Sequence, residues 1–112
     1  MSKGKFEIYI GGDGQFYFRL IASNGEKILR SEGYTSKSGC ENGINSVKSN
    51  APDYGRYQRK KAADGQFYFN LTARNSEVIG TSETYSTESS RENGIEAVKS
   101  IAPDAPVEDV TG

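Results

Sequence analysis

DGQFYFRLIASNG at residues 13–25 returns as DGQFYFNLTARNS at residues 64–76. The match runs on through ENGI (41–44 and 92–95), VKS (47–49 and 98–100) and APD (51–53 and 102–104). Asp13–Asp53 and Asp64–Asp104 align without a gap at an offset of 51, with about 25 of the 41 positions identical. One small unit is therefore duplicated. A chain the length of one copy buries too small a fraction of its surface to be stable alone, so the two copies are expected to share a core.

Within the unit, Phe16, Phe18, Leu20 and Ala22 fall on one face of a strand, and Phe67, Phe69, Leu71 and Ala73 repeat that face. The opposite face, Tyr17-Arg19-Ile21 against Tyr68-Asn70-Thr72-Arg74, drifts apart from the tyrosine, as a solvated face does. Upstream, Phe6, Ile8 and Ile10 alternate and lead into the turn Gly11-Gly12-Asp13-Gly14. The matching Arg56–Lys61 is far more polar and reads as an edge strand protected by lysine. Ser23-Asn24-Gly25-Glu26 predicts a type I′ hairpin, with Asn75-Ser76 in the other copy. A third strand follows over residues 27–34 and 78–85.

The period then changes to that of a helix. Ser38 and Glu41, like Ser89 and Glu92, have capping-box spacing. Cys40, Ile44 and Val47 form one apolar stripe, and Ile95, Val98 and Ala102 the other. Pro52 and Pro103 stop both helices. The expectation is an α+β fold: two tandem β-β-β-α repeats in one antiparallel sheet, with two helices on one face about a pseudo-two-fold. Residues 1–112 read as a single domain, with repeat one at 1–53, repeat two at 54–104 and a tail at 105–112 that can add a short strand. Residues 54–59 read as the connection.

Composition narrows the function classes. The chain has 112 residues, a net charge of −1, no histidine and one cysteine. Residues 1–53 carry 7 Lys and Arg against 6 Asp and Glu, and residues 54–112 carry 7 against 9, so neither half is a basic domain. Without histidine, Ser-His-Asp and Cys-His catalysis are excluded, and the usual zinc sites with them. No intrachain disulfide can form. No Walker or dinucleotide fingerprint occurs. Met1–Lys5 leads into Phe6-Glu7-Ile8 and not into an apolar stretch, so no signal peptide is expected, and no run is long enough to span a membrane. The expected setting is cytoplasmic.

The string FYFRLIASNGEKILRSEGYTSKSG, then GINSVKSNAP, then the near-copy with FYFNLTARN, resembles the YegP-like tandem-repeat proteins, small bacterial proteins of uncharacterised function. The resemblance covers nearly the whole chain. It implies a three-strand-plus-helix unit, present as a tandem pair or as a homodimer of single units, in one continuous antiparallel sheet. It also implies exchange of C-terminal strands between halves, with related roles for residues 57–61 and 107–110. The family supplies no catalytic residue to carry over.

Several repeated residues are candidates for function. Gly43 and Gly94 lie in mid-helix, where glycine costs about 1 kcal/mol against alanine; the reason is ligand approach or, as we prefer, close packing. Glu32 and Glu83 could pair as catalytic carboxylates across a two-fold, but exposed strand glutamates are the simpler reading. Tyr34 and Tyr85 precede the helices as staples. The turn Thr35-Ser36-Lys37-Ser38 offers amides and a lysine to an anion, while Ser86-Thr87-Glu88-Ser89 offers a glutamate instead. Cys40 reads as a small buried hydrophobe.

The candidate binding surface is Tyr17, Arg19, Tyr68 and Arg74 on the open sheet face with Arg56, Arg59, Lys60 and Lys61 beside them. Aromatics and arginines on a sheet can stack single-stranded bases. The reading favoured here is a monomeric, non-catalytic module, an internal pseudo-dimer with no cofactor. It contacts protein or peptide through the open face or an edge strand. The alternative is a weak nucleic-acid binder acting through Tyr17, Tyr68 and the Arg56–Lys61 segment.

Overall fold

In a computed structural model that describes residues 3–111, seven strands form one sheet under two helices. The elements are β1 (Gly4–Ile10), β2 (Phe16–Ala22), β3 (Lys27–Arg30), α1 (Lys37–Asn50), β4 (Tyr57–Lys61), β5 (Phe67–Thr72), β6 (Val78–Thr81), α2 (Glu88–Ile101) and β7 (Val107–Asp109). The spatial order is β4-β5-β6-β3-β2-β1-β7. β3 and β6 meet at the centre through Arg30 and Thr81, which are equivalent positions of the two copies. The pseudo-two-fold passes between them.

Neighbours from β4 to β1 are antiparallel, and β7 joins β1 in parallel, with Phe6 opposite Val107 and Ile8 opposite Asp109. The parallel pairing has a topological cause. α1 carries the chain from the central β3 to β4, the first strand of copy two. α2 carries it from β6 to the equivalent slot of copy one, which β1 already fills. The tail therefore lies alongside β1 and runs the same way. The exchange of a C-terminal strand between halves is thus present.

The repeated apolar residues make the core. Phe18, Leu20, Phe69 and Leu71 are fully buried under Cys40, Ile44, Val47, Ile95 and Val98. Phe6 meets Phe18 edge-on at 5.9 Å, and Tyr57 meets Phe69 the same way at 5.7 Å. Each helix touches strands of both copies: α1 packs on β2, β5 and β6, and α2 on β5, β3 and β2. At the axis, Leu29 and Gly80 are equivalent positions. A Cβ at Gly80 would lie 2.7 Å from Leu29 Cδ2, so the space holds one side chain, and one copy supplies it.

Several local expectations need correction. The helices are capped by Ser36 and Thr87, whose hydroxyls accept from Gly39 and Ser90 amides. Ser38–Glu41 and Ser89–Glu92 are thus inside the first turns and form no capping box. Tyr34 and Tyr85 each bridge back to the second strand, at Phe16 and Phe67, and this fixes the chain's approach two residues before the cap. Their rings then lie under the helix glycines: a Cβ at Gly43 would collide with the Tyr34 hydroxyl, and one at Gly94 with that of Tyr85. The glycines are seats for tyrosine rings, which favours the packing reading. Gly43→Ala is therefore expected to destabilise by about 1–3 kcal/mol through overpacking, despite alanine's better helix propensity. Adding Tyr34→Phe should return part of the loss in a denaturant melt.

The 23–26 hairpin is not type I′. Gly25 N–H donates to Ala22 C=O, only Gly25 has positive φ, at +88°, and Asn24 Oδ1 accepts from the Glu26 amide. This is a type I turn closed by a left-handed residue. The same turn recurs three times, at Asp13-Gly14, Asp64-Gly65 and Asn75-Ser76, each with its Asx side chain accepting two residues on. Ser76 alone takes the left-handed position without being glycine, at φ +71°. Ser76→Gly should stabilise by about 0.5–1 kcal/mol, seen as a higher denaturant midpoint at unchanged slope.

β3 and β6 are shorter than expected because Ser31 and Ser82 interrupt them. Each hydroxyl, in place of a carbonyl, accepts the amide of Phe18 or Phe69 at 2.9 Å. That is the use of the repeated Ser-Glu pairs. Glu32 and Glu83 follow as exposed residues. The connection between copies is a 3-10 turn at Tyr54–Arg56, so β4 starts earlier than the 54–59 linker allowed.

Candidate functional site

Strand alternation divides the residues between two faces. The helix-side face is filled by the core. On the open face, the paired registers align Glu108, Glu7, Arg19, Arg30, Thr81, Asn70 and Gln58 in one row across all seven strands. Beside this row lie Tyr9 opposite Tyr17, and Lys60 opposite Tyr68.

The copy-one end of this face carries a connected cluster. Glu7 Oε1 accepts from Arg19 Nη2 at 2.6 Å and Nε at 2.8 Å. This holds the guanidinium 4.3 Å from the centre of the Tyr9 ring. Tyr9 in turn stacks on Tyr17 at 5.6 Å and 17°. The Tyr17 hydroxyl donates to Asp13 Oδ2. That bond raises the phenol pKa and lowers that of the Asp13 carboxyl. Ile10, half exposed at the end of β1, lies on the other face, in register with Phe16. A groove of about 470 Å³ bordered by Lys5, Glu7, Ile21 and Pro106 lies alongside.

Copy two has no such cluster: Gln58, Lys60, Lys61 and Asn70 stand at the positions of Glu7, Tyr9, Ile10 and Arg19. Tyr9 and Glu7 were not among the sequence candidates. Their signal is the outward half of the β1 alternation, Glu7 and Tyr9 set between the apolar Phe6, Ile8 and Ile10.

The other sequence candidates separate. Tyr17 and Tyr68 do share the open face, but they lie three strands apart and on opposite sides of the Arg19–Asn70 row, about 20 Å from each other by strand spacing and rise. Arg74 does not join them, because it lies in the β5–β6 turn. The Arg56–Lys61 segment forms no single patch. Arg56 sits in the 3-10 turn, 3.5 Å from Asp53. Tyr57 is buried in the core and its hydroxyl donates to Ala51 C=O at 2.7 Å. Burial raises that phenol's pKa. Arg59 pairs by register with Phe69, faces the helices and binds Glu92 at 2.9 Å, which lowers the Glu92 pKa. Lys61 lies over Phe67. Of the segment's basic residues, only Lys60 faces the open side.

The remaining candidates have structural partners. Lys37, proposed for an anion, binds Asp109 of β7 at 2.7 Å. Cys40 is buried, and its thiol is pushed up to about 11 by burial, so it is not a thiolate at neutral pH. Among the described residues, no group of three or more Cys, Asp or Glu is placed to hold a metal ion, and no helix is long and apolar enough to cross a membrane.

The Lys37–Asp109 pair makes β7 sensitive to acid. Lys37 and then Thr111 hold the Asp109 carboxyl well below the usual range. A lowered folded-state pKa stabilises the docked strand above the ordinary value near ~3.9 and ceases to do so as pH falls through the folded value. The Phe6 and Val110 amides, which bond to Pro106 and Ile8 carbonyls, should lose hydrogen-exchange protection as pH drops below about 4. Asp109→Asn should remove that pH dependence.

The chain matches the family described as a domain of unknown function, DUF1508, twice, over residues 12–58 and 62–109. It is 57% identical over 107 residues to a UPF0339 protein from the ptx operon 5′ region of Stutzerimonas stutzeri, covering 96% of each chain. It is 51% identical over 108 residues to the UPF0339 protein YegP of Escherichia coli K12, covering 96% of this chain and 98% of that one. Among solved structures, the solution structure of E. coli YegP, a protein of unknown function, matches with a TM-score of 0.94 at 50% identity, covering 100% of this chain and 97% of that one. That of UPF0339 protein SO3888 from Shewanella oneidensis matches with a TM-score of 0.91 at 44% identity, covering 97% and 92%.

Proposed function

The chain belongs to the DUF1508 family, and from that premise we propose that it is a non-catalytic binding module that docks protein through the copy-one end of its open sheet face. The observation that carries this reading is the Glu7–Arg19–Tyr9–Tyr17–Asp13 cluster, held by hydrogen bonds and stacking yet partly exposed. Tyrosine and arginine are the residue types that anchor protein interfaces, and anchors already fixed in place lose little entropy on binding. The core repeats between copies because packing dictates it. Nothing in the fold dictates this cluster, and copy two lacks it.

The test is photo-crosslinking in cells, with a benzophenone amino acid replacing Tyr17 or, as a control, Glu96 on the exposed side of α2. A discrete protein adduct is expected from Tyr17 and not from Glu96, and it should be lost on adding Arg19→Ser. Adducts from Glu96 alone, equal adducts from both, or none from either would reject the reading. Adducts to nucleic acid from position 17 would transfer it to the alternative partner.

A further inference from the structure

Arg30 stands in an unfavourable place. It lies at the centre of the open face, directly opposite Arg19 in the β2–β3 ladder, and like charges so placed repel. Glu7 neutralises Arg19. Among the described residues, no carboxylate lies within salt-bridge distance of Arg30, which is exposed. Beyond it in the same row, Thr81 donates to Asn70 Oδ1 at 2.9 Å. This turns the oxygen toward Thr81 and leaves the amide nitrogen as a donor.

The whole face has the same bias. The registers place Lys5, Arg19, Lys27, Arg30 and Lys60 there against Glu7 and Glu108. Five cations against two anions stand on the strands of this face, with Asp13 in the adjoining turn, in a chain whose net charge is −1. Lys5 and Arg19 are answered by Glu108 and Glu7. Lys27, Arg30 and Lys60 have no carboxylate partner among the described residues.

We infer that the open face, centred on Arg30, takes an acidic polypeptide segment whose carboxylates complete the charges the fold leaves unanswered; this rests on the docking role proposed above and names the partner's chemistry. A guanidinium fork suits a carboxylate, with Lys27 further along the same strand and Lys60 on the edge strand β4 across the axis. Carboxylates are favoured over nucleotides because two of the three tyrosines on the face, Tyr9 and Tyr17, are stacked on each other, which leaves Tyr68 as the one ring open to a base. Tyr9 packs against both the Arg19 guanidinium and the Tyr17 ring. Tyr57 is buried, and Arg59 and Lys61 face the helices. Asp13 also sets a negative charge beside Tyr17.

The test is an amide-resolved NMR titration of the full chain with deca-glutamate, deca-glutamine and a ten-nucleotide thymidine strand, at low and then higher salt. Deca-glutamate should shift the Lys27, Arg30, Asn70 and Thr81 amides, less so as salt rises, and deca-glutamine should not. Arg30→Gln should weaken deca-glutamate about five-fold and melt no lower than the parent, since it removes a like-charge pair. Lys48→Gln, on α1, should change nothing. The inference is overturned by no response to deca-glutamate at low salt, by an unchanged response in Arg30→Gln, or by tighter binding of the thymidine strand at the same residues. Adducts from position 17 without any deca-glutamate response would leave protein docking standing and reject the acidic partner.

Discussion

Exchanging the two residues at the pseudo-two-fold, Leu29→Gly together with Gly80→Leu, is expected to restore most of the stability that either change alone removes. Leu29 is 1% exposed and fills the axis from copy one. Deleting it should cost about 2–5 kcal/mol, the range for emptying a leucine site, and the added glycine weakens the strand further. Gly80→Leu alone would drive a second side chain into a space where even a Cβ meets Leu29 Cγ at 2.8 Å, an overpacking cost of about 1–3 kcal/mol. In the double variant copy two supplies the leucine and copy one the gap. A double-mutant cycle from denaturant melts reads the coupling directly. Additive losses would mean that the two positions do not share one space.

Residues 1–53 alone are expected to lose the fold altogether as a monomer. α1 needs β5 and β6 beneath it as well as β2, and β3 would end the sheet with its Arg30 edge unpaired. β1 would lack β7 and the Pro106 carbonyl just before it, which accepts from the Phe6 amide. A dimer of this half would bring two copies of Leu29 to an axis built for one, so any dimer should be weak. Circular dichroism and size-exclusion chromatography decide the matter: an unfolded chain or a concentration-dependent dimer is expected. A folded, monodisperse monomer would refute the shared core.

The fold was legible because duplication printed its core twice. Phe18, Leu20, Phe69 and Leu71 were read by period and are fully buried. The helix stripes through Ile44 and Ile95 were read the same way. Charged runs hid the same periodicity elsewhere. Arg59, Lys60 and Lys61 look like one patch in sequence, yet alternation sends Lys60 to the open face and its neighbours to the helix side. Arg74 followed the period of its strand on paper, but the chain had already turned.

Ser38–Glu41 matched a capping box by spacing alone. The Tyr34–Phe16 bridge placed the cap at Ser36, and a long-range contact of that kind has no local signal. The one-leucine axis leaves only a faint mark in the sequence, Gly80 where the other copy has Leu29, and only the facing copies give it meaning.

Native-state amide hydrogen exchange tests most directly whether the two copies form one folding unit. The account predicts that the slowest amides of β2 and β3 and those of β5 and β6 open with one common free energy, equal to that of global unfolding. Two distinct opening free energies, one for each copy, would contradict it.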